Sequence, residues 1–368
     1  MIPLVKKSLS ILIVSIVLFC LCMSIILHQS VAYAEEGDYG TIHWSLDKKG
    51  VLKFDGYGTI KDGGPWAKNC RKVKQIVFGP DIIKMDGNIS EYKQLTSVVF
   101  FNNIPGCFSG CEKLQEVRFV GDAPVFSGFD IGCCPLKKII FDSPEADFCE
   151  EDSFLLSKDK TILYYYLGKK DKIIIPDGVE IIKPFAFFEK KTITNVSLPS
   201  SLKEIGMSAF HRCEKLKTIE IPDSVSAIGA CAFEKCTNLK SVSFLGSHIS
   251  FEANEVDSLG ERIIGGATFA LCKSLETISL PACELIPESM FLLCSKLKNV
   301  YISEGTLKMG SYVFSECSKL EKVFMPDSVY FTVSTLDGIP SSTIIVCSEG
   351  SETEKKATRF GYKCAADK

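Results

Sequence analysis

The sequence contains few of the residues and motifs from which most active sites are built. Four histidines and two tryptophans occur in 368 residues, and the formal net charge is −3. No Gly-x-Ser-x-Gly, His-Glu-x-x-His or phosphate-binding glycine loop is present, and no Cys-x-x-Cys pair has the spacing of a zinc site. A slightly acidic chain offers no general basic surface for nucleic acid. These absences predict a non-enzymatic protein that needs no metal or cofactor and does not bind nucleic acid.

Only one long apolar run occurs, and it lies at the N-terminus. Lys6 and Lys7 precede the apolar residues 9–27, and Ala32-Tyr33-Ala34 supplies a small-x-small cleavage pattern. The pattern predicts a secretory signal peptide over residues 1–34, with Glu35 as the first residue after cleavage. The alternative is an uncleaved anchor, because the run is long enough to span a bilayer. Contact with a membrane is therefore expected only through this segment before cleavage.

The dominant positive feature is a unit that recurs about every 23 residues. Two nearly intact copies follow one another at 198–221 and 221–244. The core of the unit, Cys-x-x-Leu-x-x-Ile-x-Ile with tolerance for similar residues, occurs ten times, at 70–78, 92–100, 111–119, 134–141, 190–198, 213–221, 236–244, 272–280, 294–302 and 317–325. A fixed period of this size predicts a solenoid, in which each coil buries its apolar face against its neighbours.

Each part of the unit has a physical role. Leu216, Ile219 and Ile221 fit a short strand, and Pro222 ends it because proline has no N–H to donate. A phenylalanine recurs three positions before the cysteine, which predicts an aromatic column through the core. Its members are Phe108, Phe187, Phe210, Phe233, Phe269, Phe291 and Phe314.

Four segments depart from the repeat and set the domain boundaries. Residues 41–58 alternate as a β-hairpin, and a cap is expected over 35–66 before a solenoid over 67–346. Insertions interrupt the solenoid near 142–172, where 154–163 also predicts a hairpin, and near 245–262. A strand and a short helix are predicted near the C-terminus, where residues 347–368 form a second capping segment.

The intact repeats, together with Trp44-Ser45-Leu46, Pro65-Trp66 and Gly361-Tyr362-Lys363, resemble the BspA-like leucine-rich-repeat proteins of bacterial and protist cell surfaces. The resemblance covers nearly all of the chain after the signal segment. It implies a right-handed, β-rich leucine-rich-repeat solenoid with one short strand per coil and a β-hairpin N-terminal cap. It also implies adhesion or binding of host or bacterial proteins.

We therefore expect a secreted or cell-surface recognition protein, and the resemblance implies an adhesin. Its partner would be a protein or glycan on host or neighbouring cells. Two alternatives from other classes stay open at this point. One is an enzyme with its site in one of the two insertions, and the other is a purely structural protein of the cell envelope.

Eight cysteines occupy the repeat position: Cys70, Cys111, Cys134, Cys213, Cys236, Cys272, Cys294 and Cys317. A disulfide framework is one interpretation, but stacked coils lie about 4.8 Å apart, whereas the Cβ atoms of a disulfide lie about 3.5–4.5 Å apart. We therefore predict a structural column of reduced thiols. Cys347 and Cys364 lie outside this column and are the first candidates for a disulfide. His211 and Cys213 form the best candidate for a catalytic pair, although a core thiol is expected to be inert.

The residue between the last two apolar positions of each strand points away from the core. Along the chain this column reads Val77, Val99, Arg118, Ile140, Ser197, Glu220, Ser243, Ser279, Tyr301 and Phe324. Its centre is polar and its ends are apolar, and exposed apolar clusters tend to mark interaction sites. The pattern predicts partner binding at Tyr301, Phe324, Val77, Val99 and Ile140, with the two rings forming one patch. The alternative is that the caps or the insertions cover these residues.

Overall fold

The structure is a computed structural model that describes residues 33–61, 63–86, 92–101, 108, 111–120, 134–142, 148–251, 266–327 and 329–366. The predicted signal peptide lies outside the described residues up to position 32, and so does the second insertion from position 252 onward. Within the described ranges, no helix is both long and apolar enough to cross a membrane.

The predicted β-solenoid is confirmed, and it has about 12 turns. Its first part is a seven-stranded sheet in the order β1-β2-β3-β5-β7-β8-β9, beside a two-stranded sheet of β4 and β6. The strands are β1 (Tyr33–Tyr39), β2 (Ile42–Asp47), β3 (Val51–Gly56), β4 (Gly58–Lys61), β5 (Gln75–Phe78), β6 (Ile82–Asp86), β7 (Ser97–Phe100), β8 (Glu116–Phe119) and β9 (Lys138–Phe141). We call the part from β3 to β9 the N-terminal solenoid.

The predicted N-terminal hairpin is confirmed as β2 and β3, which pair antiparallel. Asp47 closes the turn, because its carboxylate accepts hydrogen bonds from the backbone N–H groups of Lys49 and Val51, both at 2.8 Å. Gly50 has a φ of 91°, and a Cβ there would lie 2.5 Å from the carbonyl oxygen of Lys72. The hairpin caps the solenoid by continuing its sheet, since β3 pairs parallel with β5.

β1 adds a further antiparallel strand at the outer edge of the hairpin. Its register is irregular between Tyr33 and Glu35 and regular from Glu35 to Tyr39. All of the regular pairing therefore lies after the predicted cleavage site.

The first insertion forms a three-stranded antiparallel meander of β10 (Phe148–Glu151), β11 (Phe154–Ser157) and β12 (Ile162–Tyr166). Asp159 shapes the predicted hairpin turn by accepting hydrogen bonds from Ser157 and Thr161. Successive residues of these strands are apolar and point to opposite faces of the meander. Both of its sides are therefore apolar. One side, with Leu155 and Tyr165, belongs to the core of the N-terminal solenoid. The other, with Phe154, Leu156, Leu163 and Tyr166, belongs to a second core.

This meander, which we call the partition, separates the two cores and starts the second half of the molecule. β12 pairs parallel with β14, the first of the short strands in the order β14-β16-β18-β20. The odd-numbered strands form a separate sheet in the order β13-β15-β17-β19. The strands of both sheets are β13 (Lys172–Ile174), β14 (Ile181–Ile182), β15 (Asn195–Ser197), β16 (Glu204–Ile205), β17 (Thr218–Ile221), β18 (Ala227–Ile228), β19 (Ser241–Phe244) and β20 (Ser250–Phe251).

The last sheet follows in the order β21-β23-β25-β26-β27, beside a pair of short strands, β22 and β24. The elements are β21 (Thr277–Leu280), β22 (Leu285–Ile286), β23 (Asn299–Ile302), β24 (Lys308–Met309), β25 (Lys322–Phe324), β26 (Ile344–Cys347), helix α1 (Glu352–Arg359) and β27 (Lys363–Ala366). Short 3₁₀ helices cover Pro65–Lys72 and Val333–Thr335. We call the part from β13 to β27 the C-terminal solenoid.

The sequence prediction missed the turn that contains β13. Its Ile173-x-Ile175-Pro176 pattern matches the end of the repeat, but no Cys-x-x-Leu precedes it, because the partition replaces that part of the coil. β13 nevertheless pairs in register with β15, so that Ile174 lies beside Ser197. β13 thus begins at residue 172, where the predicted first insertion ends.

Coils of the C-terminal solenoid are also joined along their turns, where no regular strand forms. The N–H groups of Ser208, Phe210 and Arg212 donate to Ala230, Ala232 and Glu234 of the next coil at 2.8–2.9 Å. Ser208 and Arg212 have φ values of 51° and 56°. Equivalent residues from Phe185 to Glu316 repeat this left-handed conformation, which costs each non-glycine residue about 1–2 kcal/mol. The hydrogen bonds between coils offset that cost.

Both cores contain a stack of phenylalanine rings. In the C-terminal solenoid the predicted column is present, with neighbouring ring centroids 4.8–6.0 Å apart from Phe187 to Phe314 and nearly parallel planes. In the N-terminal solenoid the stack comes from the last apolar position of each strand, with centroids 5.2–5.6 Å apart from Phe54 to Phe141. Sequence reasoning missed this second stack.

Candidate recognition surface

The outward column of the strand face is continuous within each sheet. In the last sheet Ser279, Tyr301, Phe324 and Val346 are in register on adjacent strands. In the first sheet Val77, Val99, Arg118 and Ile140 are in register in the same way. These side chains occupy equivalent positions because a parallel in-register ladder repeats the outward direction of each residue from strand to strand.

Tyr301 and Phe324 lie against one another on this face. Their ring centroids are 4.2 Å apart and their planes are inclined by 16°. Tyr301 is 40% exposed, whereas Phe324 is half-buried. The structure therefore brings the two predicted residues into one aromatic pair, and their role in binding stays a prediction.

The sequence suggested that the pair lies at the end of the array of strands, but the structure places it further in. β26 and β27 continue the sheet beyond Phe324, and Val346 beside it is 6% exposed. The C-terminal segment thus covers one side of the aromatic pair and leaves the side of Tyr301 open.

The apolar residues of the N-terminal solenoid are less accessible. Val77 and Val99 are both half-buried. Lys53 is in register beside Val77, and Arg118 lies beside Val99 and forms an ion pair with Asp142 at 2.9 Å. The hairpin does not fold over these valines, because it extends the sheet sideways. Charged neighbours instead flank the two residues.

The centre of the column is not uniformly polar, which corrects the sequence reading. Ile174 occupies the position next to Ser197 and is 77% exposed. Ile140, the last residue of this column in the N-terminal solenoid, is half-buried. Apolar residues of the outward column therefore reappear at β13, the first strand of the C-terminal solenoid.

The column thiols have a role that sequence reasoning did not find. The Sγ atoms of Cys213 and Cys236 donate to the carbonyl oxygens of Phe187 and Phe210 in the preceding coil, both at 3.2 Å. The same bond occurs at 3.1–3.3 Å from Cys134, Cys272, Cys294 and Cys317. Cysteine fits because it is small, apolar and a weak donor. The available sequence signal was the separation of donor and acceptor, which is 26 residues for Cys134, Cys213, Cys236 and Cys317, 25 for Cys294 and 39 for Cys272, where the second insertion intervenes.

The chemistry of these thiols is suppressed by their surroundings. Burial raises the pKa of Cys213 and Cys317 to about 12 and raises the pKa of Cys236, Cys272 and Cys294 well above the ordinary value. Because the thiolate is the reactive form, such cysteines are poor nucleophiles. Cys70 is only half-buried, and Cys111 is buried in the first core. Cys347 and Cys364, the suggested disulfide pair, are both thiols in the structure.

His211 and Cys213 do not form a catalytic pair. The two residues lie in a turn, where Arg212 between them has a left-handed φ. Cys213 points into the core, while His211 stacks on Phe188 with centroids 4.9 Å apart and places its Nδ1 3.5 Å from Glu234.

The carboxylate of Glu234 is held in its charged form. Burial raises the pKa of Glu234, but the close approach of His211 and the ion pair with Lys235 at 2.7 Å outweigh burial and lower the pKa to about 2. No group of three or more His, Cys, Asp or Glu side chains arranged to hold a metal ion occurs in the part of the chain that the structure describes.

The repeat family that matches this sequence is described as "BspA type Leucine rich repeat region". Its six copies cover residues 67–159, 160–260 and 248–336, which is more than half of the chain. The chain belongs to the BspA-type leucine-rich-repeat family. Membership accounts for the unit of about 23 residues and indicates a repeat protein with a surface or binding role.

Solved structures agree with this assignment at the level of the fold. A leucine-rich repeat protein from Eubacterium ventriosum has a TM-score of 0.53 and 18% identity, over 90% of this chain and 94% of its own. The pneumococcal vaccine antigen PcpA has a TM-score of 0.50 and 13% identity, over 91% of this chain and 99% of its own. A comparison with curated proteins gives no match. At these identities the similarity establishes the leucine-rich-repeat solenoid and nothing further.

Proposed function

We propose that this BspA-type protein is exported and acts at the cell surface, or beyond it, as a non-enzymatic recognition protein. Its partner is a protein or glycan on host or neighbouring cells, as in adhesion. The observation that carries the proposal is the strand face, where Tyr301 stands exposed in an aromatic pair on a continuous sheet. Solenoids use such extended faces for binding, and exposed tyrosine is a favoured anchor at interfaces.

Export is supported by the N-terminal sequence and by the position of β1. Cleavage after Ala34 leaves the regular pairing of Glu35 to Tyr39 with β2 intact. Glu35 also pairs with Lys68 at 2.8 Å, which ties the new N-terminus to the first turn of the solenoid. N-terminal sequencing of the protein from the medium or the cell surface tests this step. Recovery of residues 1–34 in a membrane fraction would favour an anchor instead.

The enzymatic alternative finds no support in the first insertion. Its apolar residues face the two cores, and Glu151 is paired with Lys160 at 2.5 Å. The insertion is therefore accounted for as a structural wall between the two solenoids. In the second insertion, the acidic residues Glu252 and Glu255 lie outside the described residues.

A binding assay with residues 35–368 tests the function. The labelled protein is incubated with host matrix and with intact neighbouring cells, beside a Tyr301→Ser, Phe324→Ser double variant. We expect saturable binding that the double variant weakens while its thermal unfolding is nearly unchanged. Absence of saturable binding to every surface would contradict the proposed function, and an unfolded double variant would show that the two residues belong to the core.

A further inference from the structure

The aromatic pair leaves one ring face open. Phe324 covers one side of Tyr301 at 4.2 Å, and the opposite side is turned toward the strand of Ser279. A serine side chain is too short to cover a phenol ring, which agrees with the 40% exposure of Tyr301. Tyr301 thus projects above the neighbouring strand β21, whose outward side chains are short.

The surface beside Tyr301, which we call the hydroxyl floor, consists of small hydroxyl side chains. Thr277 and Ser279 are exposed on β21, and Ser241 and Ser243 are exposed on the neighbouring β19. Asn299 adds an amide on the strand of Tyr301 and is in register with Thr277. Hydroxyl and amide groups both donate and accept hydrogen bonds, so the floor can pair with a ligand that carries many hydroxyl groups.

Charge is confined to the margins of this floor. Glu276, just before β21, is paired with Lys298 at 3.8 Å, and Glu220 lies at the other edge of the floor, on β17 in register with Ser243. Lys322 is exposed, but it stands on β25 beyond the ring pair, in register with Asn299. A surface without net charge complements a neutral ligand, because a charged partner would gain no electrostatic attraction there.

We propose that the open face of Tyr301 and the hydroxyl floor form a binding site for a neutral polysaccharide. One face of a pyranose ring is lined by C–H groups, which stack on the electron-rich face of an aromatic ring. The sugar hydroxyl groups then meet Thr277, Ser279 and Asn299. The paired strands β21 and β23 lie about 4.8 Å apart, a spacing similar to the length of one sugar unit in an extended chain, so two successive sugars lie on these two strands. β19 contacts β21 without pairing with it.

This site rests on the proposed recognition function and names its ligand class. A protein partner is the other outcome, and one substitution separates the two. Ser279→Phe places a ring against the open face of Tyr301. It blocks a sugar from that face, whereas it enlarges the apolar patch that a protein partner would contact.

The experiment measures binding of residues 35–368 to soluble glucan, mannan and xylan by isothermal titration and affinity electrophoresis. We expect at least one polysaccharide to bind, with affinity reduced about tenfold or more by Tyr301→Ser and also lost in Ser279→Phe. Tyr312→Ser is the matched control. Tyr312 is 45% exposed on the turn face, and serine occupies the equivalent left-handed position at Ser208 and Ser289.

Binding to cells is measured in parallel after periodate or protease treatment of those cells. Loss after periodate and dependence on Tyr301 support the site. Binding that resists periodate, is lost after protease and survives Ser279→Phe would overturn the polysaccharide while leaving the recognition function standing. No binding to polysaccharide or to untreated cells would contradict both. Equal losses in Tyr301→Ser and Tyr312→Ser would show that the effect is not specific to this site.

Discussion

The two solenoids on either side of the partition reach the same architecture with different aromatic columns. The N-terminal solenoid stacks the phenylalanines that end its strands, such as Phe78 and Phe100. The C-terminal solenoid stacks the phenylalanines of its turns, such as Phe210 and Phe233, and adds regular thiol–carbonyl bonds. The comparison shows that a coil needs one in-register ring stack, but not at a fixed position, because any place that recurs in every coil forms a column.

Alkaline pH should separate the two solenoids by the largest margin. Five column thiols of the C-terminal solenoid stay protonated in the folded state far above pH 9.0, whereas they ionise near that pH once unfolded. The unfolded state is therefore favoured as pH rises above 9.0, by about 1.4 kcal/mol per thiol for each pH unit. The effect continues until the folded pKa values are reached, which are about 12 for Cys213 and Cys317.

Urea unfolding in reductant at pH 7 and pH 10 measures this effect. Trp44 and Trp66, the two tryptophans of the chain, both lie in the first core. Their fluorescence therefore reports the N-terminal solenoid, while far-UV circular dichroism reports both. The circular-dichroism transition should move to lower urea and split from the fluorescence transition. Equal shifts of both signals would contradict the prediction.

Truncation of one ring in each stack gives the next largest effect. Phe210→Ala and Phe100→Ala each remove a fully buried ring and should cost about 3–5 kcal/mol. Phe210→Ala should lower the circular-dichroism transition and leave tryptophan fluorescence unchanged at first, whereas Phe100→Ala should lower the fluorescence transition. If both variants shift both signals equally, the partition couples the solenoids into one cooperative unit.

Lys190 makes the partition sensitive to pH. It occupies the cysteine position of its coil, with its Nζ 3.3 Å from Tyr165 Oη and 4.5 Å above that ring. Burial lowers the pKa of Lys190 from 10.5 to about 8. Between pH 8 and 10.5 the unfolded state holds the proton more strongly, so this residue adds stability as pH rises through that window.

Lys190→Met removes this dependence and the cost of the buried charge. We expect the variant to be more stable than the parent at pH 7 by as much as about 3 kcal/mol, an advantage that shrinks toward pH 10.5. Because the thiols are common to both proteins, the difference between the two unfolding free energies isolates Lys190. An advantage that stays constant with pH would show that the lysine is not titrating in this window.

The thiol–carbonyl bond should give the smallest effect, and the same one in both solenoids. Cys236→Ala and Cys134→Ala each remove the thiol donor from a phenylalanine carbonyl that still accepts a hydrogen bond from a backbone N–H, of Cys213 and Cys111 respectively. Loss of the one bond should cost about 0.5–1.5 kcal/mol. Cys236→Ser, which keeps a donor, is the control and should be the less destabilised of the two Cys236 variants. Alanine variants as stable as the parent would show that the thiols only fill space.

Sequence by itself determined the repeat, its phase and the inward face of each coil. Similar residues recur at the positions of Leu216, Ile219 and Phe210, and a parallel ladder keeps identical positions in register. The columns can therefore be predicted from the sequence alone. The hairpins were also readable, since Asp47 with Gly50 and the alternation around Asp159 depend on local chemistry.

Only the tertiary structure decided how the irregular segments are used. The meander from Phe148 to Tyr166 is an insertion in sequence, but its two apolar faces become a wall only because a core lies on each side. The exposure of Ile174 and the open face of Tyr301 likewise depend on which strands end a sheet and which continue it. A local pattern fixes which face a residue occupies, whereas its neighbours across the fold fix whether that face is covered.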